Sequence, residues 1–233
     1  MNTNRKTARI VGFLFITATV STSISQVILG PILDTPDFLV NVSAHRNLLV
    51  IGVLLELVNA FASAGIAISI FPVLKNYYEG IAIGYVGVRA IEATIAIVAS
   101  ISLLSLLTLS HEYIIAGTPI ASNFQNLSAL LLAAHDWTFL MVLIIFSLGA
   151  LMLYPALYNS KLVPRVISFW GFIGAIMLVA ANLLNLFGHT SIDSTIFNLL
   201  SLPIALNEMV LAVWLIAKGF NSSAIASPSV KQI

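Results

Sequence analysis

Five ionisable residues lie within stretches of sequence that are otherwise almost wholly apolar. They are Glu56, Arg89, Glu92, Asp136 and Glu208. An ionisable side chain at the centre of a membrane-spanning helix costs about 2.5–3.5 kcal/mol, whereas a leucine or isoleucine contributes only about 0.3–0.6 kcal/mol in return. We therefore expect these side chains to face each other, or a water-filled cavity, inside a helical bundle.

Arg89 and Glu92 are three residues apart, so on a helix they lie on one face. This spacing permits a local ion pair that fixes the rotation of the helix. It equally permits the guanidinium to hold a carboxylate on another helix, or an anionic substrate. Of the five ionisable residues, four are acids and only Arg89 is basic. Burial favours the neutral form of a carboxyl group, so this excess of acids motivates a hypothesis of proton coupling.

Further polar residues extend the candidate site. Glu56 and Asn59 share one helical face, and Asn207 precedes Glu208 in the middle of an apolar segment that also contains Pro203. These residues predict a polar interior that binds or passes a small molecule, an ion or a lipid head group. The candidate binding residues are Glu56, Asn59, Arg89, Glu92, His135, Asp136, Asn207 and Glu208.

Two other functions stay open. His135, Asp136 and Glu56 could serve an intramembrane enzyme that modifies lipids by hydrolysis, with its site in the outer leaflet. Alternatively, all the polar groups could serve only to assemble helices in a structural membrane subunit. His135 and Asp136 are adjacent and point about 100° apart on a helix, so we do not expect them to form an orienting pair.

The sequence predicts neither a metal site nor a cofactor. The four histidines are not spaced as His-x-x-x-His or His-Glu-x-x-His, the patterns that put two ligands on one helix face. The absence of cysteine excludes a disulfide, a thiol nucleophile and a cysteine-ligated metal. There is no phosphate-cradling glycine loop and no basic block, so we expect no nucleic-acid partner.

The elements that must position these residues are membrane-spanning helices. Hydrophobic residues make up 59% of the chain and charged residues 8%, against roughly 25% charged in a soluble domain. Runs such as Ile95-Ala96-Ile97-Val98 do not alternate as barrel strands do. We predict an all-α bundle of six spans, at residues 10–29, 48–71, 81–107, 127–154, 166–187 and 196–217.

Prolines and glycines are expected to end these spans. Gly30-Pro31 would end the first, Pro72 the second and Pro155 the fourth, while Gly188 and Gly219 would end the fifth and sixth. Basic residues before the first span also fit a signal peptide, but its apolar stretch is long and no Ala-x-Ala cleavage pattern follows. We therefore expect a retained first helix.

Basic residues predict the orientation of the bundle. With the amino terminus inside, the inner segments hold eight of them, and the outer loops hold only Arg46. Both termini are thus predicted to be cytoplasmic. Residues 1–220 would form one six-helix transmembrane domain and residues 221–233 a short disordered cytoplasmic tail. The inner basic residues are Arg5, Lys6, Arg9, Lys75, Lys161, Arg165, Lys218 and Lys231.

Four segments together resemble one family of bacterial membrane proteins. They begin at Arg5-Lys6-Thr7-Ala8-Arg9, at Gly84-Tyr85-Val86-Gly87-Val88-Arg89, at Leu162-Val163-Pro164-Arg165 and at Asn207-Glu208-Met209-Val210. The chain is similar, over nearly its whole length, to the family catalogued as domain of unknown function 4386. The resemblance implies a multi-pass protein of the bacterial cytoplasmic membrane, and it brings no reaction, substrate or catalytic residue with it.

Overall fold

The structure, a computed structural model, describes residues 3–116 and 121–226, and every regular element among them is a helix. The eight helices of this part of the chain are α1 (Thr3–Leu33), α2 (Phe38–Ala44), α3 (Arg46–Leu74), α4 (Glu79–Ala116), α5 (Ala121–Ser160), α6 (Arg165–Leu186), α7 (Thr195–Ala217) and α8 (Ser222–Ala226). All but α2 and α8 are long and apolar enough to cross a membrane. The predicted all-α fold with six spanning helices is confirmed.

Three of the helices continue past the prolines that were expected to end them. Helix α1 continues through Pro31, α3 through Pro72 and α5 through Pro155. The expectation that these residues stop the spans was wrong, since a membrane-spanning helix can continue past a proline when other groups satisfy the freed backbone atoms. Gly188 and Gly219 do follow α6 and α7, each with a left-handed φ, of 74° and 79° respectively.

Helices α4 and α5 are much longer than a bilayer requires. They contain 38 and 40 residues. At a rise of 1.5 Å per residue each is about 60 Å long, roughly twice the thickness of the hydrocarbon core. In a bilayer, each must tilt or extend beyond the lipid.

The described residues form two compact units. The first unit lies within Met1–Thr17, Ala62–Glu92 and Leu143–Ile233, and the second consists of Ala18–Phe61 and Ala93–Val142. The core of the first unit includes Phe15, Ile66 and Leu211. The core of the second includes Leu49 and Leu103.

Close packing of α6 on α7 organises the first unit. A Cβ at Gly174 would lie 2.9 Å from the backbone nitrogen of Ile204, so only glycine allows this approach. Gly171 likewise lies against the ring of Tyr154, which a Cβ would overlap. These two glycines bring α6 against both α5 and α7.

The surface is apolar in the way that a bilayer requires. Val166, Val27 and Phe187 are each more than 70% exposed, and many other large hydrophobic side chains are exposed along the six long helices. In water, such continuous apolar patches are unfavourable. Lipid is the solvent that suits them, because it matches their polarity.

The segment after α7 is hydrogen-bonded to the turn between α5 and α6. The backbone N–H of Asn221 donates to the carbonyl of Leu162 at 2.9 Å, and its side-chain amide donates to the carbonyl of Lys161 at 3.3 Å. Helix α8 follows directly, within the predicted tail. The remaining tail residues, 227–233 with Lys231, lie outside the described residues.

Candidate functional site

The eight candidate residues separate into two groups, one in each unit. The first unit contains Arg89, Glu92, Asn207 and Glu208, and the second contains Glu56, Asn59, His135 and Asp136. We call these the Arg89 group and the Glu56 group.

Arg89 and Glu92 form the local ion pair that their spacing permits. The Nη1 atom of Arg89 donates to the two carboxylate oxygens of Glu92 at 2.8 and 3.1 Å. Glu92 is also hydrogen-bonded to Ser63 of α3. The two residues are only 2% and 3% exposed, so protein surrounds the pair.

Aromatic rings enclose the guanidinium of Arg89. Its central carbon lies 5.2 Å from the centroid of the Phe146 ring and 5.8 Å from that of Tyr85, which are cation–π distances. Glu208 is half-buried on α7 and interacts electrostatically with Arg89 and Glu92. The pair thus joins α3, α4, α5 and α7, and its enclosure favours the structural interpretation over an exposed substrate clamp.

Asn207 also connects helices. Its side-chain amide donates to the backbone carbonyl of Ile167 on α6 at 2.8 Å. Asn182 of α6 makes a comparable bond at 3.0 Å to the hydroxyl of Ser147 on α5. Bonds of this kind stabilise helix association in membranes. Asn207 therefore serves helix packing in the first unit.

The Glu56 group is built around the ring of His135. The Nε2 atom of His135 lies 3.2 Å from Oε1 of Glu56, and Nδ1 lies 3.3 Å from Oδ1 of Asp136. The other oxygen of Glu56 accepts a hydrogen bond of 3.2 Å from Ser100 on α4. We did not expect adjacent residues to form an orienting pair, yet His135 and Asp136 are in contact through Nδ1 and Oδ1.

Exposure changes sharply across this group. The side chains of Glu56 and His135 are 15% and 11% exposed, whereas that of Asp136 is 63% exposed. The ring of His135 stacks on Phe139, with centroids 6.4 Å apart and planes 16° apart. A nearly buried imidazole therefore connects an open carboxylate to a sheltered one.

A small cavity lies beside Glu56, within the second unit. Its volume is about 30 Å³, which is room for a water molecule. Five polar residues line it, of which only Glu56 is ionisable, and apolar side chains complete the wall. The polar lining is Thr22, Ser25, Gln26, Glu56 and Asn59.

The Glu56 group is not arranged as a metal centre with several histidine or carboxylate ligands. Within residues 3–116 and 121–226, no three histidine, aspartate or glutamate side chains converge as metal ligands do. His135 lies between the two carboxylates and contacts one with each nitrogen, so the three side chains share no common centre. With both nitrogens so occupied, the ring is also not placed to activate a serine or threonine hydroxyl, as an acyl-transfer site requires.

Sequence reasoning missed several members of both groups. Ser63, Ser100 and Phe146 carry no spacing signal, because they come from other helices than the residues they contact. Tyr85 lies four residues before Arg89 on α4, so its position on the same helix face could have been predicted. Thr22, Ser25 and Gln26 offered a detectable signal. They are polar residues clustered within three to four positions of the first span, which is the periodicity of one helix face.

Comparison with known proteins identifies one family. The family described as domain of unknown function DUF4386 matches residues 10–219. No curated protein and no solved structure matches the chain.

Proposed function

The chain belongs to the DUF4386 family, and we propose that it is an integral membrane protein whose polar interior binds a small cation in the cavity beside Glu56. The cavity carries this proposal. It places one carboxylate among hydroxyl and amide side chains, and the rest of its wall is apolar.

The size of the cavity favours an ion over an organic ligand. Pockets for small organic molecules usually measure about 300–1,000 Å³, and this cavity is about 30 Å³. A lipid head group is likewise too large for it. Of the three ligand classes considered from the sequence, the ion is the one that fits.

The chemistry of the lining favours a monovalent cation. Carboxylate, amide and hydroxyl oxygens are the ligands that hard cations prefer. A single carboxylate balances one positive charge, whereas divalent sites usually gather several. Lithium, sodium and potassium are the ions to test.

The setting of the site is proposed from the charge pattern. We infer that both termini are cytoplasmic, because the basic residues of one predicted face outnumber those of the other by eight to one. Residues 1–220 then constitute the membrane domain and residues 221–233 its cytoplasmic tail. The bacterial cytoplasmic membrane, implied by the family resemblance, is the expected location, and its lipids are the expected surroundings.

Isothermal titration of the purified protein with lithium, sodium and potassium chlorides tests this function. We expect saturable binding of at least one of these cations, and its loss in Glu56→Gln. Glu112→Gln is the matched control, because Glu112 is an exposed carboxylate in the same unit. Binding that is absent from the wild type, or that survives in Glu56→Gln, would refute the proposal.

A further inference from the structure

The turn between α5 and α6 carries a basic residue at each of its ends. Lys161 directly follows α5 and Arg165 begins α6, and both are exposed. Between them, Leu162 and Val163 are buried in the core of the first unit, so the turn is anchored to the bundle. The side-chain amide of Asn221 also donates a hydrogen bond to the carbonyl of Lys161. The backbone that carries the two cations is therefore fixed at one end of the first unit.

Lys161 has a backbone conformation that favours glycine. Its φ is 56°, and in the part of the chain that the structure describes it is the one residue other than glycine with a positive φ. Helices α6 and α7 are also followed by a residue with a positive φ, but there the residues are Gly188 and Gly219. A lysine is less stable than a glycine in this region, because its Cβ crowds the backbone. Strain of this kind indicates a role for the side chain, and here that side chain is a cation.

Lys218 brings a third cation to the same end of the first unit. It directly follows α7, and the segment after it is hydrogen-bonded to the α5–α6 turn. Arg5 lies there too, but its guanidinium already donates to backbone carbonyls at the end of α7. Among residues 3–116 and 121–226, no carboxylate forms an ion pair with Lys161, Arg165 or Lys218. These three residues, which we call the basic cluster, are therefore complementary to an anionic partner.

An apolar strip adjoins the basic cluster along α6. Four exposed hydrophobic residues follow Arg165 on one face of this helix, namely Val166, Phe169, Ile173 and Ile176. From the first to the last of them the strip is about 15 Å long, which is roughly the depth of the hydrocarbon in one leaflet. The surface thus joins positive charge at one end to an apolar track that continues from it.

Tyr158 lies beside the basic cluster. Its side chain is partly exposed, and the central carbon of the Arg165 guanidinium lies 5.1 Å from the centroid of its ring. Tyrosine has an apolar ring and a polar hydroxyl, and it is therefore enriched where lipid head groups meet acyl chains. Its position indicates that the basic cluster lies at the level of the head groups.

We propose that this surface binds an anionic phospholipid, with the phosphate at the basic cluster and an acyl chain along the strip on α6. The surface is matched to a molecule that is anionic at one end and apolar along the rest, whereas a free phosphate ion would leave the strip unused. Each basic residue near an anionic head group contributes about fivefold in affinity. The lipid site lies wholly in the first unit and shares no residue with the cation site.

Native mass spectrometry of the delipidated protein tests this inference. The protein is supplied with equal amounts of palmitoyl-oleoyl phosphatidylglycerol and palmitoyl-oleoyl phosphatidylcholine, which differ only in the head group. We expect the wild type to prefer phosphatidylglycerol several-fold. Lys161→Gly and Arg165→Gln should each weaken its binding about fivefold. Arg46→Gln is the matched control, because Arg46 is an exposed arginine of the second unit, and it should retain the preference.

Lys161→Gly should also change the stability in the opposite direction to the binding. Without lipid, its Tm should rise by about 2–4 °C, because glycine removes the strain at this φ. A lysine that served only the fold would instead give a lower Tm when it is replaced. That result would overturn the assignment of Lys161 to the lipid site, whatever the variant binds.

Three further outcomes would overturn the proposal. The first is equal binding of the two phospholipids by the wild type. The second is an unchanged preference for phosphatidylglycerol in both Lys161→Gly and Arg165→Gln. The third is displacement of phosphatidylglycerol by sodium phosphate beyond the effect of sodium chloride at the same ionic strength, since that would mean that the basic cluster holds a free phosphate ion.

Discussion

The Arg89 group and the Glu56 group contain similar residue types but differ in how completely protein surrounds them. Arg89 and Glu92 are almost wholly buried, and their charges cancel within one ion pair closed by aromatic rings. In the Glu56 group, one carboxylate is open, another borders a cavity, and a histidine connects them. An ionisable group within the membrane indicates a functional site only when something can reach it, and the Glu56 group meets that condition.

The largest expected effect tests the structural role of Arg89. Replacing it in Arg89→Met leaves Glu92 buried without its partner, which should reduce the free energy of unfolding by about 3–5 kcal/mol. Equilibrium unfolding in mixed micelles measures this. The double variant Arg89→Met, Glu92→Leu removes both charges and should recover most of the loss. If the single variant is as stable as the wild type, the pair does not hold the first unit together.

A smaller effect is expected where a glycine lets α6 approach the Arg89 group. In Gly171→Ala the new Cβ would overlap the ring of Tyr154, which interacts electrostatically with Arg89. Overpacking of this kind should reduce the free energy of unfolding by about 1–3 kcal/mol. Gly87→Ala is the control, because a Cβ there meets nothing within 4 Å. Equal stability of the two variants would show that the packing around Tyr154 is loose.

The smallest change in stability is expected in the Glu56 group. Ala96 lines the cavity, and Ala96→Val would place methyl groups in it. The free energy of unfolding should change by no more than about 1 kcal/mol, because the added volume enters space that is already empty. Cation binding, followed by titration calorimetry, should nevertheless be lost. Retained binding would mean that the ion site is not this cavity.

The spanning helices could be predicted from the sequence, because lipid imposes a simple requirement on length and polarity. The Arg89–Glu92 pair could also be predicted, since its two members lie three residues apart on one helix. The positions at which the helices end could not be predicted from the prolines. Spanning helices tolerate a proline when neighbouring groups satisfy the freed backbone atoms, and α1, α3 and α5 continue past theirs.

The division of the polar residues into two groups could not be predicted. Glu56 and His135 are 79 positions apart, and only the packing of α3 against α5 within the second unit brings them into contact. Composition likewise cannot tell a buried glutamate from one beside a cavity. Glu56 and Glu92 look alike in the sequence, and the number of neighbours that enclose each of them follows from tertiary structure.

The most direct test of the account compares the stability of Glu56→Gln and the wild type with and without a saturating cation. A ligand that binds only the folded state stabilises it by about 2.7 kcal/mol at one hundred times its dissociation constant. We expect this gain in the wild type and none in Glu56→Gln, while the two proteins unfold with similar free energies when no cation is present. If Glu56→Gln is strongly destabilised without the cation, or gains as much as the wild type with it, then Glu56 belongs to the framework of the fold and the cavity beside it is not the functional site.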